Sequence, residues 1–175
     1  MNWKEEISKL VSIKQMIASH DKQRIWPHHL PELAVTDEAI DDLEKSIKHT
    51  LAHRHREFLQ HADGWRCFYQ SVDLFGTSML LNPPEYILSR LAAIDPLAIS
   101  SAGISSMNDM LIIAATESDL DYFAMAKLNG KIGDQVYWFA GQLIESFTNF
   151  EEFFLSMMDY SREELADMKN EHRAT

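Results

Sequence analysis

The eight histidines of this chain are the residues whose chemistry first suggests a bound metal ion. His53 and His55 are two residues apart, which places them on different sides of a helix, whereas helical metal ligands are usually three or four apart. His49 and His53 have the four-residue spacing, but a turn around Thr50 is expected to separate them. A third pair, at positions 28 and 29, lies in a loop between two prolines. Because no His-Glu-x-x-His pattern and no second cysteine completes a ligand set, the sequence predicts no metal site and no cofactor.

Three carboxylates are concentrated in the expected turn between two strands: Glu117, Asp119 and Asp121. A calcium loop would need a glycine at its bend and a bidentate glutamate downstream, and both are missing. Acid–base catalysis needs carboxyl groups held in different environments, which a solvated turn does not provide. Two interpretations stay open, a polar hairpin turn or an acidic surface that binds a basic protein partner.

The common patterns of nucleophilic catalysis are absent. Gly-x-Ser-x-Gly does not occur, and Cys67 has no evident histidine partner. Glycine-rich phosphate loops are also missing, and basic residues do not cluster with aromatic ones as on a nucleic-acid surface. Because every common route to catalysis is missing at once, the sequence predicts a protein that is not an enzyme.

Aromatic side chains are the other candidates for a binding site, although most of them are expected to fill the core. Trp65 is the aromatic residue that we expect at the surface, because it directly follows the Asp63-Gly64 corner. Large aromatic residues at a rim are common hot spots of protein–protein interfaces. Together with the acidic turn, Trp65 completes the predicted partner-binding set: Trp65, Glu117, Asp119 and Asp121. Other acidic runs, such as Asp41-Asp42 and Glu163-Glu164, stay open as alternative binding surfaces.

Composition narrows the class of protein. The 175 residues suit one domain, and 27 acidic against 16 basic side chains give a net charge of −11. Such a charge repels nucleic acid and anionic lipid and speeds encounter with basic partners, although it also serves solubility. The longest apolar run, Met110 to Ala115, is far shorter than the about 20 residues of a membrane span. With an acidic N-terminus unlike a secretory signal and with Cys67 as its only cysteine, the chain is expected to be cytoplasmic.

Apolar spacing and cap residues predict helices at both ends of the chain and strands between them. We expect an α+β fold with a central, largely antiparallel sheet. The first half is predicted to contain a helix from Trp3 to Ile17, a helix capped by Thr36, a short helix closed by Asp63-Gly64 and a strand or strand pair ending near Leu81. A helix from Pro83-Pro84 to Asp95-Pro96 and a mobile loop over Ser100–Ser106 follow. The second half is predicted to contain strands over Leu111–Ala115 and Tyr122–Leu128, a turn at Asn129-Gly130, a hairpin of Val136–Phe139 with Leu143–Phe147, a helix capped by Asn149 and a last helix begun by Ser161.

Three segments divide the chain. Residues 1–32 are expected to form an N-terminal helix and a proline-bracketed loop. The main domain spans residues 33–160, and residues 161–175 form a polar helix or tail.

Four motifs give the chain a family resemblance. They are "REFLQHADGW" after an acidic amphipathic helix, then "DLFG", "DMLIIAATESDLDYFAM" and "QVYWFAGQLIESFTNFEEFFLSMM". In this order and spacing they resemble the SUKH superfamily, which contains a yeast cell-wall-synthesis regulator and many bacterial immunity proteins. The resemblance runs from Leu33 to Met158. It departs from the family at Leu51-Ala52-His53, where a leucine–proline pair is more usual.

The resemblance implies a protein that binds another protein. In bacteria the partner is typically a toxin encoded by a neighbouring gene, so the first hypothesis is an immunity protein that occludes a cognate toxin. The net charge favours a basic, nuclease-type toxin, because enzymes that hold phosphate are usually basic. The alternative is a non-enzymatic regulatory or scaffold protein without a toxin partner, and an enzyme acting on a small substrate is a third reading.

Overall fold

The computed structural model describes residues 1–91 and 94–171, without the side chains of residues 89, 90 and 171. Over these residues a six-stranded antiparallel sheet is flanked by helices from both ends of the chain. The predicted α+β fold is therefore confirmed.

In the described residues, the elements follow one another as three helices, a strand pair, three short helices, four strands and a long helix. They are α1 (Trp3–His20), α2 (Asp37–Ile47), α3 (His53–Leu59), β1 (Trp65–Tyr69), β2 (Val72–Leu74), α4 (Thr77–Leu81), α5 (Glu85–Leu91), α6 (Pro96–Ser101), β3 (Met110–Ala115), β4 (Asp121–Leu128), β5 (Lys131–Ala140), β6 (Gln142–Phe147) and α7 (Phe150–Glu171).

The sheet is a meander, in which each strand pairs antiparallel with the next one along the chain. Because the chain reverses at every turn, the turns after Tyr69, Ala115 and Ala140 lie at the same end of the sheet. We call this end the Tyr69 end. The predicted turn at Asn129-Gly130 lies at the opposite end and is confirmed, since both residues have the positive φ that a tight hairpin requires.

The core is built where α7 packs against the sheet. Phe150, Phe153 and Phe154 of α7 are fully buried, as expected. Trp3 of α1 meets the ring of Phe154 edge-on, with ring centroids 5.4 Å apart. The cap of α7 is confirmed as well, because the side chain of Asn149 accepts a hydrogen bond from the amide of Glu152 at 3.0 Å. The residues of α1 thus share one core with the sheet, while the three predicted chain segments stay a prediction.

Gly64 has the expected left-handed backbone, with φ of +89°. Helix α3 has already ended at Leu59, so this glycine shapes the entry into β1 and does not close the helix. A Cβ atom on Gly64 would lie 2.5 Å from the backbone nitrogen of Gly76 and 2.7 Å from the carbonyl oxygen of Leu74. Glycine is therefore required here both by conformation and by the close approach of two chain segments.

One local expectation for the middle of the chain is wrong, and a second is wrong only for Ser100 and Ser101. Thr77–Leu81 is helix α4 and not the end of a strand, because the Asp63 carboxylate accepts hydrogen bonds from the amide and hydroxyl of Thr77. Asp95 does not only break a helix but caps α6, since its carboxylate accepts from the amide of Leu97 at 2.9 Å. The first part of the segment expected to be a mobile loop is therefore helical.

The predicted helix start at Ser161 is also wrong. Helix α7 runs without interruption from Phe150 to Glu171. Ser161 is buried, and its hydroxyl donates to the carbonyl oxygen of Met157 inside the helix. A serine bonded in this way is compatible with a helix interior. Ser161 therefore lies within α7 and caps no helix end. Residues 172–175 of the predicted tail lie outside the described residues.

Candidate protein-interaction surface

The acidic turn between β3 and β4 lies at the Tyr69 end of the sheet. Glu117 and Asp119 are exposed there, and Asp121 is the first residue of β4. The turn is tied to the neighbouring β1–β2 turn, because the hydroxyl of Ser71 lies 2.9 Å from that of Thr116. The structure therefore brings the three predicted carboxylates together on one side of the molecule.

Asp121 differs from the other two because its carboxylate is partly buried. It accepts a 2.6 Å hydrogen bond from the indole Nε1 of Trp138. Burial raises the pKa of the Asp121 carboxyl, while the bond from Trp138 opposes that rise. The indole ring packs 5.2 Å from Phe123 and 6.2 Å from Tyr160, measured between centroids. Asp121 thus holds a half-buried aromatic residue in place and does not simply extend into solvent.

Trp65 does not take part in this surface, and the expectation that it is exposed is wrong. Its side chain is only 1% exposed, and its indole Nε1 donates to the carbonyl oxygen of His29 at 2.8 Å. The segment before α2 covers it, held by the bond from the amide of Glu32 to the carbonyl oxygen of Gly64. Trp65 also starts β1, roughly 13 Å from its Tyr69 end at about 3.3 Å per residue. Because its ring is inaccessible to a partner, Trp65 cannot act as the predicted binding hot spot.

A groove of about 400 Å³ opens at the Tyr69 end, between the β1–β2 turn and the second half of α7. We call it the Tyr69–Tyr160 groove. On α7 its wall consists of residues three, four and seven positions apart, which lie on one face of a helix. The groove is lined by Tyr69, Gln70, Tyr160, Glu163, Glu164, Asp167 and Met168.

Two tyrosine rings form the floor of this groove. The centroids of Tyr69 and Tyr160 are 6.1 Å apart, and the hydroxyl of Tyr160 donates to Glu145 at 2.9 Å. Burial raises the pKa of Tyr160 to about 12, and the nearby Glu145 carboxylate contributes to the rise. Burial likewise raises the pKa of Tyr69, with smaller contributions from Glu164 and Asp121. Both rings are therefore neutral at physiological pH, and the charge of the groove comes from its carboxylates.

A lysine lies behind the groove. Lys14 of α1 is buried, and its ammonium group donates to the carbonyl oxygen of Cys67. Burial lowers the pKa of Lys14, and the proximity of Glu164 opposes that change. Burial also raises the pKa of the half-buried Glu164 carboxyl, while Lys14 opposes the rise. Of the three carboxylates lining the groove, Glu164 is thus partly compensated by a cation inside the protein, whereas Glu163 and Asp167 are exposed to solvent.

His55 and Cys67 are buried and take no part in the groove. His55 is fully buried and stacks on Phe150, with centroids 4.5 Å apart, and burial lowers its pKa to about 3. Cys67 is buried, as its position in a strand predicts, and burial raises the pKa of its thiol. Within residues 1–91 and 94–171, no three His, Cys, Asp or Glu side chains are grouped so that they could hold a metal ion.

Sequence reasoning left Glu163-Glu164 open as an alternative acidic surface, but it missed Tyr69, Tyr160 and Asp167 of the groove. The spacing of Tyr160, Glu163, Glu164 and Asp167 was the available signal, since it marks one helical face. Placing a helix start at Ser161 broke this face in two. The contribution of Tyr69 depends on how the β1–β2 turn packs against α7, which local patterns do not contain.

Over the described residues, the chain is an α+β protein in which an antiparallel meander is flanked by helices and carries acidic and aromatic side chains at one end. The model of the SMI1 / KNR4 family (SUKH-1) matches residues 34–156. The chain belongs to this family, and the resemblance seen in its motifs is confirmed. A search of curated proteins gives no match. None of the helices in the described part of the chain is both long enough and apolar enough to cross a membrane.

Proposed function

We propose that this chain is an immunity protein that binds a cognate toxin and blocks the toxin's active site. Membership in the SUKH-1 family supports the proposal, because the superfamily contains many such proteins. The structural observation that carries it is that the turn with Glu117 and Asp119 lies at the Tyr69 end of the sheet, where burial and the carboxylates of Glu164, Asp121 and Glu163 all raise the pKa of Tyr69. The protein acts as a binding partner in this proposal and performs no catalysis.

The charge of the chain points to a basic toxin, of the kind that cleaves nucleic acid. Enzymes that hold a phosphate backbone carry cationic clefts, and an acidic surface can occupy such a cleft in place of the polyanion. A net charge of −11 also accelerates association with a basic partner. The proposed mechanism is therefore steric and electrostatic occlusion, guided by the exposed carboxylates of the β3–β4 turn.

The test is co-expression with the toxin encoded beside this gene, measured as growth, together with association kinetics of the purified proteins. The double variant Glu117→Lys with Asp119→Lys should slow association, and the rate for the native protein should fall steeply with added salt. Asp121 is left unchanged because it bonds to Trp138. A matched control, Glu38→Lys with Asp134→Lys, changes the net charge equally at two exposed positions away from this turn.

Native protein that fails to rescue growth, with no complex at low salt, overturns the proposal and favours the regulatory or scaffold alternative. An acidic partner, or equal slowing by the test and control variants, overturns the steering role of the turn.

A further inference from the structure

The Tyr69–Tyr160 groove has the features of a receptor for a single cationic side chain. Two phenol rings form its floor, and three carboxylates stand along the α7 side. Among the described residues, none of those that line the groove is basic. Lys14, the cation that acts on the lining residue Glu164, is buried and bonds to a backbone carbonyl, so it does not reach into the groove as a surface side chain would.

We infer that this groove binds an arginine side chain of a protein partner, with the guanidinium plane against the tyrosine rings and its N–H groups directed at Glu163 and Asp167. The planar guanidinium stacks on aromatic faces and bonds carboxylates through two parallel hydrogen bonds. An ammonium group offers the charge without the planar fork, so lysine fits the same groove less well. Anionic ligands are excluded by the carboxylates.

This inference deepens the proposed function, because it names the side chain by which a basic partner would be held. It also concerns a part of the chain that lies outside the match to the family model. The family match ends at residue 156, whereas the α7 wall of the groove spans residues 160–168. Different carboxylates and rings at these positions would therefore let related proteins select different partners.

The probe is a short peptide with two arginines between glycines, titrated into the ¹⁵N-labelled protein and followed by NMR chemical shifts. Shifts should concentrate at Tyr69, Gln70 and residues 160–168. The same peptide with lysines should bind about threefold more weakly, and one with uncharged citrullines should not bind detectably. Shifts centred elsewhere, or equal affinity for the arginine and citrulline peptides, overturn the inference.

Variants then connect the peptide to the groove. Glu163→Lys with Asp167→Lys should weaken arginine-peptide binding by about fivefold or more, because two attractive charges become repulsive. Both positions are exposed on α7, where substitutions change stability little, so the fold should persist. The control pair Glu38→Lys with Asp134→Lys should change the affinity by less than about twofold, through the altered net charge alone. Equal loss in both pairs refutes a specific groove.

The tyrosine floor has its own comparison. Tyr160→Leu should weaken binding of the arginine peptide, whereas Tyr160→Phe keeps the ring and should preserve it. If both variants behave alike, the ring does not contribute and the inference fails in this form.

Failure of this inference is distinguishable from failure of the proposed function. If the toxin is neutralised equally well by native protein and by the Glu163→Lys, Asp167→Lys variant, the groove has no role and the immunity function stands. If the arginine peptide binds the groove but no toxin is neutralised, arginine binding by the groove is supported and the immunity function is refuted.

Discussion

Gly64 offers the sharpest test of the fold, because the chain contains a matched control for it. Gly64 and Gly141 both have positive φ, at +89° and +75°. A Cβ atom on Gly141 would meet nothing within 4 Å, whereas one on Gly64 would lie 2.5 Å from the backbone of Gly76. Alanine at either position carries the conformational penalty of about 1–2 kcal/mol. Only Gly64→Ala adds an overpacking penalty of about 1–3 kcal/mol, since backbone atoms must move apart.

Thermal unfolding measures the difference. At about 2–4 °C per kcal/mol for a domain of this size, Gly141→Ala should lower the Tm by roughly 2–8 °C. Gly64→Ala should lower it by roughly 4–20 °C, and Gly64→Val by more, because a β-branched residue tolerates positive φ poorly. A Tm for Gly64→Ala that equals that of Gly141→Ala would show that the Gly64–Gly76 approach is not a close contact, and the steric argument would be refuted.

Three further perturbations test the core. Truncation after Phe147 removes all of α7 and should abolish cooperative melting and native circular dichroism, since each large buried side chain contributes about 2–5 kcal/mol; a truncated protein that melts cooperatively contradicts this. Trp65→Ala should lower the free energy of unfolding by about 3–5 kcal/mol in denaturant titrations and leave partner association unchanged, because the ring is buried; a change confined to the off-rate would contradict its burial. In the unfolded chain His55 binds a proton below pH 6.5, whereas in the folded protein it binds one only below about pH 3. The free energy of unfolding should therefore fall as the pH drops from 6.5 to about 3, by up to about 1.4 kcal/mol per pH unit. His55→Phe keeps the stack on Phe150 and should remove this contribution; an identical pH profile in urea titrations at several pH values would contradict it.

Much of the fold was readable in the sequence because the deciding forces are local. Thr36 and Asn149 accept bonds from amides three residues ahead, which is a property of the residue and its immediate neighbours. Asn129-Gly130 forms its turn because both residues tolerate positive φ. The continuous apolar run of β3 is buried along its whole length, as a strand inside a sheet requires. The acidic turn was located for the same reason, since it separates two such strands.

The wrong expectations share a different cause, because contacts with segments distant in the sequence determine the local structure at these residues. Trp65 is buried because the chain around His29 folds over it and accepts its indole hydrogen bond. Thr77 begins a helix because Asp63, far back in the chain, caps it. Ser161 looked like a cap, but Ser161 and Leu165 are both buried, so α7 packs through this point as one continuous helix.

The sequence by itself determined the fold class, most of the helices and strands in their order and the excess of negative charge, because these depend on residue type and spacing. Only the tertiary structure decided which charges and rings share a surface. The meander brings the turns after Tyr69 and Ala115 to one end, and there Tyr160, Glu163 and Asp167 of α7 line one groove with Tyr69 and Gln70. Chain reversal and helix packing created this juxtaposition, and neither is a property of any short stretch of residues.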